Sequence, residues 1–74
     1  MTLRQAELGR SVLIRRLENL SETELMRLSA LGLRAGAHIT KLLKTPLRDP
    51  IECLVGPQLL AVEAWLLDRI IVDA

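Results

Sequence analysis

The sequence predicts a mostly β protein, a small barrel of about five short strands with two or three short helices. Isoleucine and valine occur in short alternating runs of the length that strands adopt, and glycine and proline divide the chain between these runs. One segment also has the residues that begin and end a helix. Leucine, arginine, glutamate and alanine are strong helix formers, so an all-helical protein is the alternative, which the glycines and prolines disfavour.

The composition limits what the chain can do. Its 74 residues are expected to form one domain, 1–74, with a single modest core, and the 50% hydrophobic content excludes a disordered tail. Because only 1% of the residues are aromatic, aliphatic side chains must fill this core. The same shortage disfavours proline-rich peptides and single-stranded nucleic acid, which stack on aromatic rings. A formal net charge of +1 gives no electrostatic reason to expect nucleic acid.

The chain has features of a cytoplasmic protein. Cys53 is the only cysteine, so no disulfide can form within the chain, and the chain opens without a charged and then apolar leader. Glu63, Asp68 and Arg69 interrupt the longest apolar stretches, which are shorter than the roughly 20 residues of a membrane-spanning helix. We therefore expect a cytoplasmic location.

The N-terminal residues predict a helical turn followed by the first strand. Residues 2–8 are partly apolar and end at Gly9, which indicates a helical turn across an open end of the barrel. Residues 11–17 follow. There, Val12 and Ile14 alternate with other residues, which predicts a strand with these two side chains directed inward.

A helix is predicted to begin at Glu22. Ser21 and Glu24 have the capping-box spacing, in which a hydroxyl and a carboxylate satisfy backbone amides at the start of a helix. Leucines then recur at every third position and share one helix face. We expect this face to be buried; it consists of Leu25, Leu28 and Leu31.

Two glycines predict a tight corner between this helix and the second strand. Gly32 follows the last helical turn, where glycine adopts left-handed geometry without a steric penalty from Cβ, and Leu33 can then contact the helix. Gly36 is a second turn glycine. We assign both glycines a structural role in the turn.

Residues 37–43 predict the second strand, with Ile39 directed inward and His38 outward. Lys41 has the same parity as Ile39, which creates a conflict. Either a bulge shifts a following leucine inward, or the lysine stem covers apolar surface while its ammonium group reaches water.

The C-terminal half predicts a loop, a hairpin, a helical turn and a last strand. Residues 45–50 contain two prolines and should form a loop in which Asp49 bonds nearby backbone amides. The other elements are a strand at 51–55, a turn at Gly56-Pro57, a strand at 58–62, a helical turn at 63–67 and a strand at 69–72. Their expected inward-facing residues are Ile51, Cys53, Val55, Ile70 and Val72.

Few residues could support catalysis or metal binding. His38, the only histidine, is expected at the surface, and Cys53 is expected to be a small buried hydrophobe. Because they face opposite ways, they leave too few convergent ligands for a closed transition-metal site. We predict no catalytic residue, no metal site within the chain and no cofactor. A surface metal site shared between two molecules, such as His38 with a carboxylate, is the open alternative.

The chain has more apolar residues than one small core can bury. Leu13, Leu54 and Ile71 have the outward parity of their strands, and Trp65 and Leu66 lie in one short helical turn. Either they cover the ends and second face of the barrel, or they form a docking surface for another protein or a second copy. The predicted partner-binding residues are Leu13, Trp65 and Leu66, with Pro46, Leu47 and Arg48 of the proline-containing loop as a second candidate.

Three segments, in this order and spacing, resemble one known family. They are Leu31-Gly32-Leu33-Arg34-Ala35-Gly36-Ala37-His38-Ile39 after a leucine-rich helix, Pro46-Leu47-Arg48-Asp49-Pro50-Ile51, and Leu60-Ala61-Val62. The pattern is similar to that of the ferrous iron transport protein A (FeoA) family and covers about residues 3–72. The chain departs from it at Ala35, where a proline is common, at Arg48, where a glycine is common, and at Glu63, which replaces a usual basic residue.

The resemblance implies an SH3-like small β-barrel. It also implies an accessory role in bacterial ferrous iron uptake, as a non-catalytic module that contacts the cytoplasmic portion of the ferrous-iron permease (FeoB). One alternative is a free-standing regulatory relative of the SH3-like domain of iron-dependent repressors, although the chain has no helix-turn-helix segment. A second alternative is a small metal-binding carrier.

Overall fold

The computed structural model describes residues 1–44 and 49–73. Its elements are η1 (Leu3–Gln5), β1 (Ser11–Leu17), α1 (Glu22–Ala30), β2 (His38–Lys44), β3 (Ile51–Val55), β4 (Gln58–Val62), η2 (Ala64–Asp68) and β5 (Ile70–Asp73), where η denotes a 3-10 helix. These elements confirm the predicted mostly β class with short helical segments. Within the described ranges, every helix is too short or too polar to cross a lipid bilayer.

The five strands form one antiparallel sheet in the order β4-β3-β2-β1-β5. A two-residue turn at Gly56 and Pro57 joins β3 to β4, so that Val55 pairs with Gln58. The pairing of β1 with β5 shifts register between Ile14 and Arg16. Such shifts bend a strand, which lets a small sheet curve around its own core.

The core is aliphatic and lies on the inner face of the curved sheet. The inward parity predicted for the strands is confirmed, because all of the residues assigned to it are buried: Val12, Ile14, Ile39, Ile51, Cys53, Val55, Ile70 and Val72. Leu3 of η1, Leu28 of α1 and Leu67 of η2 complete this core. The apolar residues with the outward parity are less exposed than expected. Leu13, Leu54 and Ile71 are each half-buried.

Local signals place both ends of α1. Ser21 Oγ accepts from the Glu24 backbone N–H at 3.1 Å, and the Ser21 N–H donates to Glu24 Oε1 at 2.9 Å, which completes the predicted capping box. At the other end Gly32 has a φ of 91°. The N–H groups of Gly32 and Leu33 donate to the Ser29 and Leu28 carbonyls, both at 2.9 Å. This pair of bonds is the Schellman motif, which satisfies the last carbonyls of a helix.

The second glycine of the corner also has left-handed geometry. Gly36 has a φ of 92°, and its N–H donates to the Ile14 carbonyl at 2.8 Å. The Ile14 N–H in turn donates to the Ala37 carbonyl at 2.8 Å. The corner therefore pairs with β1 before β2 begins.

The predicted buried face of α1 is wrong in part. Leu28 is buried, but Leu25 is half-buried and Leu31 is 44% exposed. An α-helix has about 3.6 residues per turn, so positions three apart drift around it by about 60° and a set of three covers about 120°. The part of the α1 circumference that contacts the core is narrower than the arc of about 120° that these three leucines cover. Leu31 is also the C-cap residue and lies past the last helical residue, Ala30.

The conflict at Lys41 is resolved by burial of its stem. The side chain is buried, and Nζ donates to the Arg4 carbonyl of η1 at 2.9 Å. The pairing of β2 with β3 shifts register between Lys41 and Lys44. The lysine-stem resolution therefore occurs, because the aliphatic stem covers the core. The strand is also irregular just beyond Lys41, but Leu42 is only half-buried, and no inward leucine of β2 is seen among the described side chains.

Candidate functional site

A groove lies between the C-terminal half of α1, strand β4 and η2; we name it the α1–η2 groove. Its charged residues are Glu24, Arg27 and Glu63. Its apolar lining consists of Leu28, Leu31, Leu33, Leu60, Ala61, Val62, Trp65 and Leu66. The cavity volume is about 160 Å³. A cavity of about 150 Å³ lined by apolar residues binds benzene, so this groove has room for one apolar side chain.

The rim of the groove exposes large apolar side chains. Trp65 is 40% exposed and Leu31 is 44% exposed. The indole Nε1 of Trp65 donates to Glu63 Oε2 at 2.9 Å, which satisfies its polar atom and leaves the ring to contact a partner. The groove therefore combines an aromatic rim residue of fixed orientation with an aliphatic floor.

The backbone of η2 is held at its first residue by two other segments. Asp49 Oδ1 accepts from the Ala64 N–H at 2.9 Å, and Arg4 Nη2 donates to the Ala64 carbonyl at 2.8 Å. We predicted that Asp49 bonds amides of its own loop; most of that loop, residues 45–48, lies outside the described residues. The bond that the described residues show is to Ala64. The reason is that the first N–H groups of a helix have no acceptor within it, which makes them strong donors for a nearby carboxylate.

The last residue of η2 is held by an ion pair. Arg4 donates to both oxygens of Asp68, at 2.7 Å from Nε and 3.0 Å from Nη2. This hydrogen bonding lowers the pKa of Asp68 and raises the pKa of Arg4. Both side chains are about half exposed, at 50% and 55%, so the pair fixes geometry more than it adds stability.

The predicted partner-binding residues do not all meet at one place. Trp65 lies on the exposed rim of the groove, whereas Leu66 is only 5% exposed and forms part of its floor. Of the two alternatives for Leu66, the structure agrees with the one in which it covers the core, because η2 directs it and Leu67 inward. Leu13 is half-buried on β1, paired with His38, and does not line the groove. Pro46, Leu47 and Arg48 lie outside the described residues.

Two exposed leucines, one at the rim of the groove and one on the outer face of β4, were not among the predicted site residues. Leu31 was assigned to the core, although its position directly before Gly32 is a signal that it caps the helix. Leu59 of β4 is 62% exposed. The two-residue turn before β4 fixes which residues of the strand face outward, and that turn was recognisable as Gly56-Pro57.

The reactive residue types are placed as the sequence predicts. His38 is exposed at the start of β2, and Cys53 is fully buried in β3. Burial raises the pKa of the Cys53 thiol to about 11, and the Lys41 charge only partly opposes this, so the thiol is protonated at neutral pH. Among residues 1–44 and 49–73, no three side chains of His, Cys, Asp or Glu converge as metal ligands.

Comparisons of the sequence and of the structure with known proteins identify the same family. The model of the FeoA domain matches residues 1–74. Iron(II) transport protein A from Clostridium thermocellum is 30% identical with a TM-score of 0.85, and the match covers 99% of this chain but 44% of that one. The chain thus spans less than half of that relative. No curated protein sequence matches significantly.

Two further solved structures have similar folds. FeoA from Chlorobium tepidum is 29% identical with a TM-score of 0.87, over 97% of this chain and 68% of that one. FeoA from Stenotrophomonas maltophilia, a complex with zinc described as an SH3 domain protein, is 26% identical with a TM-score of 0.79, over 99% of this chain and 89% of that one. A manganese-dependent transcriptional repressor is 12% identical with a TM-score of 0.81, which shows the shared SH3-like fold alone.

Proposed function

Because this chain belongs to the FeoA domain family, we propose that it is a cytoplasmic accessory protein of ferrous iron uptake that contacts the ferrous-iron permease (FeoB). The contact is made by the α1–η2 groove. One observation carries this proposal: Trp65 and Leu31 expose large apolar surfaces on either side of a groove with an aliphatic floor. The S. maltophilia relative is described as a candidate activating factor of ferrous iron transport, which supports the same process.

The residues of the groove suit protein binding. Binding energy at protein interfaces concentrates in a few desolvated side chains, among which tryptophan is enriched, and surrounding polar groups exclude water. Trp65 and the aliphatic floor supply the apolar centre. Glu24, Arg27 and Glu63 supply a charged border that contains both signs.

The support of η2 lowers the cost of binding. Asp49 and Arg4 hold the Ala64 peptide group, and Arg4 also holds Asp68, so both ends of the helix that carries Trp65 are fixed before a partner arrives. A side chain that is ordered in the free protein loses less entropy on association. The groove is therefore preorganised for one binding geometry.

The two carboxylates of the groove have structural bonds of their own, which favours binding over catalysis. Glu24 accepts from the Ser21 N–H, and this bond lowers the pKa of Glu24. Glu63 accepts from the indole of Trp65. A general acid or base needs a pKa near the working pH and access to a substrate. We propose accordingly that the protein is non-catalytic.

Titration calorimetry against the folded cytoplasmic portion of the cognate permease tests this function. We expect Trp65→Ala to weaken binding about tenfold or more, equivalent to about 1.4 kcal/mol. Met26→Ala is the matched control, because Met26 is 74% exposed on α1 and does not line the groove.

Leu13→Ala and the double variant Leu47→Ala/Arg48→Ala test the other predicted partner-binding residues. Absence of binding by the parent protein would contradict the permease contact.

The alternative function, a small metal-binding carrier, predicts a different result. It requires stoichiometric binding of Fe(II) to the monomer, abolished by His38→Ala or Cys53→Ser. We expect the tag-free protein to bind Fe(II) only weakly, because His38 is exposed on β2 and Cys53 is buried in β3. Submicromolar, stoichiometric binding in an equilibrium titration would favour the carrier over the permease adaptor.

A further inference from the structure

The two edges of the sheet are not alike. The β5 edge is covered by the N-terminal residues, since Thr2 forms a bridge with Ile71 and the Val72 N–H donates to the Met1 carbonyl at 2.8 Å. The other edge is β4. Throughout the part of the chain that the structure describes, β4 has backbone hydrogen bonds with β3 alone.

The hairpin turn determines which β4 groups point away from β3. Val55 and Gln58 flank the two-residue turn and form a hydrogen-bonded pair, after which bonded and non-bonded pairs alternate along an antiparallel ladder. Leu59 and Ala61 therefore belong to non-bonded pairs. Their N–H and C=O groups point to the open edge and are available to another strand.

The side chains of β4 do not protect this edge. Natural edge strands commonly carry lysine, proline or a bulge that prevents pairing with another chain. The sequence of β4, Gln58-Leu59-Leu60-Ala61-Val62, has no charge and no proline, and its pairing with β3 is regular over all five residues. Leu59 is 62% exposed and lies opposite half-buried Leu54 on the outer face of the sheet.

We propose that a second copy of this chain pairs with β4, antiparallel and about a two-fold axis at Leu60. In this register Leu59 lies opposite the partner subunit's Ala61, and Ala61 opposite the partner subunit's Leu59. The outward backbone groups of these residues then form four hydrogen bonds, two for each pair. Each Leu59 side chain packs beside the partner subunit's Ala61 on the outer face. This homodimer goes beyond the permease contact and does not depend on it.

Three observations support two-fold pairing with a second copy. Leu59 and Ala61 are symmetric about Leu60, so one strand supplies matching donors and acceptors to its own copy. Glu63 is the charged residue directly after β4 and lies three residues from the axis, so the two Glu63 residues of the dimer are about 20 Å apart. The screening length is about 8 Å at physiological salt, so these two carboxylates do not oppose pairing. A head-to-tail chain of β4 to β5 contacts is disfavoured because Met1 and Thr2 cover β5.

The dimer is expected to be weak and transient. Stable interfaces bury about 800 Å² per partner, which is a large share of the 4754 Å² surface of this chain, and one short strand edge provides less. Sedimentation velocity from micromolar to millimolar concentration should therefore show a rapid monomer–dimer equilibrium.

Variants of the edge give the first test. Leu59→Lys places a charge on the edge, and Ala61→Pro removes one outward N–H without removing a ladder bond to β3. Each should raise the dimer dissociation constant tenfold or more. Met26→Lys is the matched control, since it makes the same type of change at a 74% exposed residue of α1, and it should leave the constant unchanged.

Crosslinking tests the register itself. Leu60 would face the partner subunit's Leu60 in a non-bonded pair, where Cα atoms are about 4.5 Å apart and a disulfide can form. In a Cys53→Ser background, Leu60→Cys should form a disulfide-linked dimer on mild oxidation, and Met26→Cys should not. This measurement keeps the proposal testable if Ala61→Pro does not fold.

Several results would overturn the proposal. A parent protein that stays monomeric at millimolar concentration has no such dimer. Assemblies larger than a dimer would indicate a head-to-tail contact. Self-association that Leu59→Lys leaves intact belongs to another surface. A monomeric parent whose binding to the permease portion is lost in Leu59→Lys would assign the edge to a different protein.

Discussion

Asp49 Oδ1 accepts a hydrogen bond of 2.9 Å from the backbone N–H of Ala64, which lies 15 positions further along the chain. The bond joins a residue two positions before β3 to the first residue of η2. Because η2 carries Trp65 at the rim of the groove, the position of this exposed ring depends on a carboxylate from a different part of the sequence.

Removal of this cap should destabilise the protein measurably. We expect Asp49→Ala to lower the free energy of unfolding by about 1 kcal/mol, the usual effect of losing a side-chain acceptor at a helix start. Asp49→Asn is the control, because its amide oxygen can accept the same bond. Chemical denaturation measures both variants. Equal stability of Asp49→Ala and the parent would show that the bond contributes nothing.

The Arg4–Asp68 pair predicts a pH-dependent contribution to stability. Hydrogen bonding to Arg4 lowers the pKa of Asp68 in the folded protein below its ordinary value of 3.8. The stabilisation is therefore fully present above that value and is lost as the pH falls through the lower, folded-state pKa. The stability difference between the parent and Asp68→Asn should shrink on acidification.

Urea unfolding at neutral pH and at several acidic pH values measures this difference. Arg4→Gln should show the same trend. Adding Asp68→Asn to Arg4→Gln should cause little further loss at neutral pH, because the partner of Asp68 is already gone. A stability difference that is constant across the whole pH range would mean that the pair does not act through the ionised carboxylate.

The left-handed geometry of the corner after α1 predicts that substitution of Gly32 lowers the free energy of unfolding. A Cβ at Gly32 would lie 3.5 Å from Val55 Cγ1, an ordinary contact, so the penalty comes from the φ of 91°. Gly32→Ala should cost about 1 kcal/mol, and Gly32→Val more, because a branched side chain tolerates left-handed geometry poorly. Gly36→Ala is a useful comparison, with a φ of 92° and open space around its Cβ position. A Gly32→Val protein as stable as the parent would refute this account of the corner.

The parts of the fold that rest on neighbouring residues could be predicted from the sequence. Ser21 with Glu24 defines the start of α1, Gly32 follows its C-cap, and strict alternation identifies the buried side of β3. Each of these signals acts within a few residues. For the same reason the two-residue turn between β3 and β4 was predictable from Gly56-Pro57.

The parts that depend on distant segments could not be predicted in this way. The partner of Asp49 is set by how the end of β4 approaches the start of β3, and the partner of the Lys41 ammonium group is a carbonyl of η1. The burial of Leu66 beside exposed Trp65 depends on the rotation of η2, which Arg4 and Asp49 fix from outside. An excess of apolar residues left two alternatives open, coverage of the barrel and a docking surface. Only the placement of α1, β4 and η2 in the folded chain gives the groove its shape.

The most direct test of the account is a map of the residues that respond to the permease. In ¹⁵N-labelled protein titrated with the folded cytoplasmic portion of the cognate permease, backbone amide shifts should change around Leu31, Leu60 and Trp65, and the Trp65 indole N–H signal should move. Met26, which does not line the groove, should not respond. Shift changes that cluster away from the α1–η2 groove, or none at all with a folded partner, would contradict the proposal that this groove is the docking surface.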